Sequence, residues 1–209
     1  MHSYHPLTRL RNLSLLLTMS LSLSLSLLWA PPGLAQDTPS DAVRTTIDTI
    51  LGILRKPDYN FEADSPAISA EVARAFDATA MAQSVLSTNW RQANPDQQGE
   101  FRSLLMKTIE NTYIGRLRTY SNESVEIRGE EVRDKRATVD TVIISNTGDI
   151  PVIYKLRQRS DGWFVYDVEV ENVSMVSSYR ETYLNVVKRD GLDGLLEQMR
   201  ARIAEPDQG

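Results

Sequence analysis

The chain has 209 residues, with 23 Lys and Arg against 28 Asp and Glu, and no cysteine. Its two histidines, His2 and His5, both stand near the start. Beyond them a Ser-His-Asp triad, a Cys-His pair and a zinc site with nitrogen or sulfur ligands are excluded, and the acidic balance, with no basic patch in the sequence, speaks against a nucleic-acid partner.

Residues 1–35 read as a secretory signal peptide. Arg9 and Arg11 supply the positive start, Leu13 to Trp29 is a long Leu/Ser run, and Gly33-Leu34-Ala35 offers small residues for cleavage before Gln36. The leader holds two of the 23 basic residues and none of the 28 acidic ones, which leaves the remainder a net charge of about −7. Export without cysteine suits the periplasm. A negative chain is repelled by an anionic membrane surface, so its membrane contacts are expected to be transient. Residues 36–209 are expected to form one domain. The sequence has no Gly-rich phosphate loop, dinucleotide fingerprint or EF-hand loop, and neither a cofactor nor a metal is expected.

In chain order, Ser40 is expected to cap a helix carrying Val43, Ile47, Ile50, Leu51 and Leu54, ended by Pro57. Asp58 to Pro66 reads as a polar loop, and Ala67 to Phe76 as a short helix. Asp77 caps the next helix, which carries Met81, Val85, Leu86 and Trp90. Asn94-Pro95-Asp96-Gln97 is a capping box with Pro at the first helical position. The helix it opens has a wide apolar stripe that includes Phe101, Leu104, Leu105, Ile109 and Tyr113.

The period then changes from helical to alternating. Val125 and Ile127, Ala137 to Ile144, Val152 to Arg157 and Trp163 to Val170 give four strands joined by turns at Asn146-Thr147-Gly148-Asp149 and Ser160-Asp161-Gly162. In the last strand Phe164, Tyr166, Val168 and Val170 alternate with Val165, Asp167, Glu169 and Glu171, so the first set is expected on one face. Asn172 breaks the strand, Val173, Met175 and Val176 form an apolar loop, and Ser177-Ser178 cap a helix from near Tyr179. A break at Gly191 and Gly194 precedes a last helix. The class is α+β: a curved four-stranded antiparallel sheet packed against a layer of helices. The corner from Val165 to Arg180 is where sheet and helices meet, and where an apolar pocket opens between the layers or a closed core continues.

The residues Phe76-Asp77, Met81-Ala82, Val85-Leu86, Trp90-Arg91, Pro95, Gln97-Gln98, Phe101, Leu104-Leu105 and Tyr113 resemble the N-terminal signature of the MlaC family. Tyr120-Ser121-Asn122-Glu123, Val165-Tyr166-Asp167-Val168, Val173-Ser174-Met175-Val176, Tyr179-Arg180 and Gly191-Leu192-Asp193-Gly194-Leu195 extend the resemblance over nearly all of the chain after the leader. Asn172 stands where that family has Gly, and Ser178 where it has Asn. The resemblance implies a periplasmic phospholipid carrier of the Mla lipid-transport pathway (the toluene-tolerance auxiliary family) with a deep pocket for acyl chains. The implied partners are the MCE-domain ring of an inner-membrane ABC transporter and an outer-membrane lipoprotein–porin complex, met by a monomer.

An acyl chain leaving a bilayer gives up about 0.8 kcal/mol per CH₂, so a carrier must replace the bilayer with its own apolar lining. Lipid-binding candidates are Met81, Val85, Leu86, Leu105, Ile109, Tyr113, Val139, Ile143, Tyr154, Val168, Val170, Val173, Met175 and Val176, which would equally suit a closed core. Phe101 and Trp163 are assigned to the core. Arg116, Arg118, Arg180 and Lys188 are candidates for a phosphate at the mouth. Asp77 is read as a helix cap and Asp167 as a sheet residue paired with a neighbour. Two other readings stand on the residues alone: a cone-shaped α+β lyase or isomerase with a carboxylate base, and a ligand-free periplasmic adaptor with a solid core.

Overall fold

The computed structural model describes residues 38–205 except Ser121, and gives no side chain for Arg116. The expected signal peptide and its cleavage point lie outside the described residues. Among the described residues no helix is long and apolar enough to cross a membrane.

Five helices and five strands follow in the order α1 (Pro39–Leu54), α2 (Phe61–Ala75), α3 (Ala78–Leu86), α4 (Pro95–Tyr113), β1 (Ser124–Arg133), β2 (Arg136–Ile144), β3 (Ile150–Arg159), β4 (Gly162–Val170), β5 (Val173–Ser174) and α5 (Met175–Ala204). The sheet is an antiparallel meander, β1-β2-β3-β4-β5. The expected strand count of four falls one short because the supposed apolar loop doubles back. Glu171 and Asn172 adopt φ of 51° and 66° and form a two-residue turn, which pairs Val173 with Val170. Asn172 therefore takes the left-handed conformation that Gly would adopt more freely.

Helix starts follow from caps. Asn94 Oδ1 accepts from Gln97 N–H at 2.9 Å and Gln97 Oε1 accepts from Asn94 N–H at 3.1 Å, the capping box expected for α4. α1 begins earlier than Ser40. Thr38 is its cap, in a reciprocal box with Asp41, and the freed Ser40 N–H donates to Glu130 Oε2 of β1 at 2.7 Å. α2 takes in most of the expected Asp58–Pro66 loop. Asn60 Oδ1 accepts from Ala63 N–H, Asp64 Oδ2 accepts from Asn60 N–H, and Pro66 forfeits one helical bond without ending the helix.

Two buried carboxylates lock helices to the sheet. Asp77 accepts from Ala80 N–H at 2.8 Å as the cap of α3, while its own N–H donates to Val165 O at 2.7 Å. Asp167 sits at the start of α5. Its Oδ2 accepts from Ser174 Oγ at 2.7 Å, its Oδ1 accepts from Val176 N–H at 3.0 Å, and Lys155 Nζ stands 3.3 Å away. Ser174 Oγ in turn accepts from Ser177 N–H, so α5 starts at Met175 and not near Tyr179. A carboxylate there also meets the positive end of the helix dipole. Lys155 is shared with Glu169. Partial desolvation pulls its pKa down, but the two carboxylates outweigh that and hold it above its ordinary value.

The core lies between the sheet's inner face and α3, α4 and α5. Met81, Val85, Leu86, Phe101, Leu105, Val139, Leu156, Leu195 and Leu196 are essentially inaccessible. Phe101 meets Tyr183 edge-on, centroids 6.0 Å apart. α5 breaks at Gly191, whose φ of 74° and ψ of 177° leave the helical region and let its last turns fold back onto the core.

Removing the Asp167 carboxylate should leave the Ser174 hydroxyl and Val176 N–H unpaired in a buried corner. Asp167→Ala is expected to cost about 2–4 kcal/mol in chemical denaturation, the sum of a lost cap and buried partners left unsatisfied; a loss within a few tenths would exclude the capping role. Burial pushes the Tyr183 phenol up to about 12, with a hydrogen bond to Thr108 offsetting part of the effect. The unfolded chain releases this proton near pH 10 while the folded chain keeps it, so stability should fall as pH rises from about 10 toward 12 and not below. Tyr183→Phe should make that fall shallower when denaturation midpoints are compared at about pH 9 and about pH 11.5, and an unchanged slope would assign the pH dependence elsewhere.

Candidate functional site

The layers part at one end and leave a partly open cavity of about 390 Å³ between them. One wall is the sheet: Ile143 of β2, Val152, Tyr154 and Leu156 of β3, and Trp163, Val165, Val168 and Val170 of β4. The other is helical: Val43, Ile47 and Ile50 of α1, Val72 and Phe76 from the end of α2, and Ile109 and Tyr113 of α4, with Ile114 just after it. Met175, the first residue of α5, closes one corner.

The β4 wall depends on a bulge. Lys155 pairs with Asp167 but Leu156 pairs with Val165, so Tyr166 is an extra residue opposite no partner. One extra residue moves everything beyond it to the other face. Before the bulge Trp163 and Val165 point inward, and after it Val168 and Val170 do. The unbroken alternation expected for Phe164, Tyr166, Val168 and Val170 is therefore corrected. Tyr166 turns away from the cavity and carries Arg136 over its ring at 5.5 Å, and Trp163 leaves its expected place in the core for the cavity wall.

Seven of the fourteen candidate lining residues are brought together here: Ile109, Tyr113, Ile143, Tyr154, Val168, Val170 and Met175. Met81, Val85, Leu86, Leu105, Val139 and Val176 stand instead in the closed core, where α3, α4 and α5 pack directly on the sheet with no gap. Val173 is 61% exposed, because the turn carries β5 outward along the sheet edge. Helix α1 and Phe76 were not among the candidates. The stripe Val43, Ile47, Ile50 is legible in the sequence, but nothing in it says that the stripe faces a space and not a neighbour.

The cationic candidates stand elsewhere. Arg180 Nε donates to Ser84 O at 2.7 Å and ties α5 to α3. Arg118 lies 4.0 Å over the Phe61 ring and pairs with Glu62 at 2.8 Å. Lys188 is exposed on α5, and the Arg116 side chain is outside the described residues. The charged groups on the lining are Asp41, Arg74, Glu110 and Asp161, of which Asp41, Arg74 and Asp161 are exposed. They mark the edge of an otherwise apolar space. Tyr154 is different: it is half-buried on the apolar wall, and desolvation by the side chains around it pushes its phenol up to about 12.

Comparison with known proteins gives three findings. The Intermembrane phospholipid transport system binding protein MlaC of Haemophilus influenzae is 27% identical over 128 residues, 58% of this chain and 60% of that protein, so the chain spans about 60% of the length of the relative it matches. A solved structure of the phospholipid-binding protein from Ralstonia solanacearum in complex with a phospholipid matches with a TM-score of 0.71 at 23% identity, over 78% of this chain and 97% of the other, which is a likeness of fold. The model of the MlaC protein family matches residues 44–201, from within α1 to the last turns of α5. That span holds the whole sheet and all of the helical wall from Thr45 onward, and the chain belongs to the MlaC family.

Proposed function

We propose that the protein is a periplasmic phospholipid carrier that holds acyl chains in the cavity between α1 and the sheet. The observation that carries this reading is a partly open apolar cleft of about 390 Å³, within the range of ligand sites, in a domain of the MlaC family. Apolar walls of aliphatic and aromatic side chains with one Met replace a bilayer without dictating a single chain geometry. The names of the relative and of the structural neighbour, one a phospholipid-transport binding protein and the other bound to a phospholipid, support the same ligand class. Delivery would run between an outer-membrane lipoprotein–porin complex and the MCE-domain ring of an inner-membrane ABC transporter, with the N-terminal leader directing export.

Binding without catalysis is favoured by where the buried carboxylates are spent. Asp77 caps α3 and faces Arg157, and Asp167 caps α5 and faces Lys155, so neither points a free base into the cavity. A solid-core adaptor does not account for the space.

Purified protein should carry phospholipid without any added ligand, seen as lipid mass in native mass spectrometry and identified in the solvent extract; only unliganded protein over repeated preparations would overturn the reading. Charge placed in the wall should separate cavity from core and surface. Val170→Glu and Met175→Glu should melt cooperatively yet lose at least about ten-fold in co-purified lipid, since the carboxylate would have to be desolvated against the chains. Phe101→Glu should unfold the domain, and Val173→Glu, on the exposed edge, should keep both fold and lipid. Full lipid retention by Val170→Glu would remove β4 from the binding wall.

A further inference from the structure

The inner wall of the cavity is aliphatic around a hydroxyl that has nothing to bond. Tyr154 is paired across the sheet with Val139 on one side and Val168 on the other, and the same-face neighbours on its own strand are Val152 and Leu156. None of these side chains accepts a hydrogen bond. Five of the other polar side chains on the lining already have partners in the protein. Asp41 is bonded to Thr38, Arg74 to Glu71, Glu110 to Ser69 and Asp161 to Arg159. The Thr46 hydroxyl donates back to the Ala42 carbonyl. Among the described residues the Tyr154 hydroxyl meets no partner, and the half-buried residue lines the cavity. The hydroxyl is not sealed among protein atoms: it is a donor that the protein leaves free on the wall of the cavity, where Phe would line the same space without one.

We infer that the Tyr154 hydroxyl is a donor to the bound lipid, and that its acceptor is the carbonyl oxygen of an ester-linked acyl chain. The inference rests on the acyl-lipid reading above and narrows the ligand to a chemical class. A plain hydrocarbon segment offers no acceptor. A free carboxylate would have to be desolvated in a space whose one cationic lining residue, Arg74, is exposed and already paired with Glu71. An ester carbonyl is neutral, accepts one hydrogen bond well, and stands in a lipid where the apolar chain begins. An ether-linked lipid of the same chain length has the same apolar bulk but lacks that carbonyl. The donor persists over the working range, because burial keeps the phenol protonated to about pH 12. The contact would fix how far the chains slide into the cavity while leaving their conformations unspecified.

The test is a competition between a diester phosphatidylcholine and its diether analogue of equal chain length, loaded onto delipidated protein and read by native mass spectrometry. Wild type should retain the diester by about five-fold over the diether, the usual net worth of one hydrogen bond. Tyr154→Phe should bring that ratio close to one, mainly through loss of the diester, while its melting temperature stays at or above that of wild type. Tyr166→Phe, on the far side of the bulge, should keep the wild-type ratio. An unchanged preference in Tyr154→Phe, or an equal loss of both lipids, would overturn the ester contact while leaving the carrier reading intact. Failure of wild type to hold either lipid would overturn both.

Discussion

The extra residue in β4 is the constraint on which this molecule turns. Without Tyr166 as a bulge, Trp163 and Val165 could not share a face with Val168 and Val170, and one half of the strand would present polar or misplaced side chains to the cavity. Beside this irregularity the Val165 carbonyl lies on the edge of β4 that β5 does not reach. That oxygen accepts from Asp77 N–H, and the end of α2 lies beside β4 at Phe76. Immediately after the bulge comes Asp167, turned to the opposite face, where it caps α5. A single insertion thus sets the wall, docks α2 and α3, and fixes the start of α5. Both buried carboxylates stand close to it, Asp77 bonded through its backbone to Val165 and Asp167 following Tyr166 in β4, and each satisfies helix N–H groups.

Much of the fold was legible because it is written in local signals. The Asn94–Gln97 box, the turn at Ser160-Asp161-Gly162 and the alternation of β2 need no tertiary information. The misreadings share a cause. Thr38 outcompetes Ser40 because Asp41 completes a reciprocal box, and Asn60 with Asp64 stabilises a helix start through a stretch that polarity and Pro66 marked as loop. Ser174 outcompetes Ser177 for α5 because Asp167, seven residues upstream, holds it in place. In the last case the decisive partner sits on the neighbouring strand, beyond any local window.

The site was half legible for a different reason. A closed core and a cavity wall are built from the same apolar residues, so composition cannot separate Val139 from Ile143 or Leu105 from Ile109. Position along the layer separates them. Residues of α4 near its start face α5 across direct contacts, while those near its end face the gap left between α1 and the sheet. Helix α1 was invisible as a wall because its stripe resembles any amphipathic helix. Its Ala42, Thr45 and Thr46, small beside Ile47, are what keep the gap from being filled.

That gap has a thermodynamic consequence. A dry apolar void costs roughly 24 cal/mol per Å³, so 390 Å³ would cost up to about 9 kcal/mol if it were sealed and empty. This is comparable with the whole stability of a domain of this size, about 5–15 kcal/mol. Water is a poor remedy, since a lining so short of polar partners cannot hold it in order. Two outcomes relieve the cost: α1 settles onto the sheet, or apolar matter occupies the space. Elements that only cover the cavity should carry that movement, and α1 fits the description, because its ties outside the apolar contacts are few and include the single bond from Ser40 N–H to Glu130. The carboxylate-locked α3, α5 and β4 would stay as they are. In a fold built this way the position of α1 is coupled to whatever fills the cavity, so that filling the space and ordering its cover draw on the same free energy.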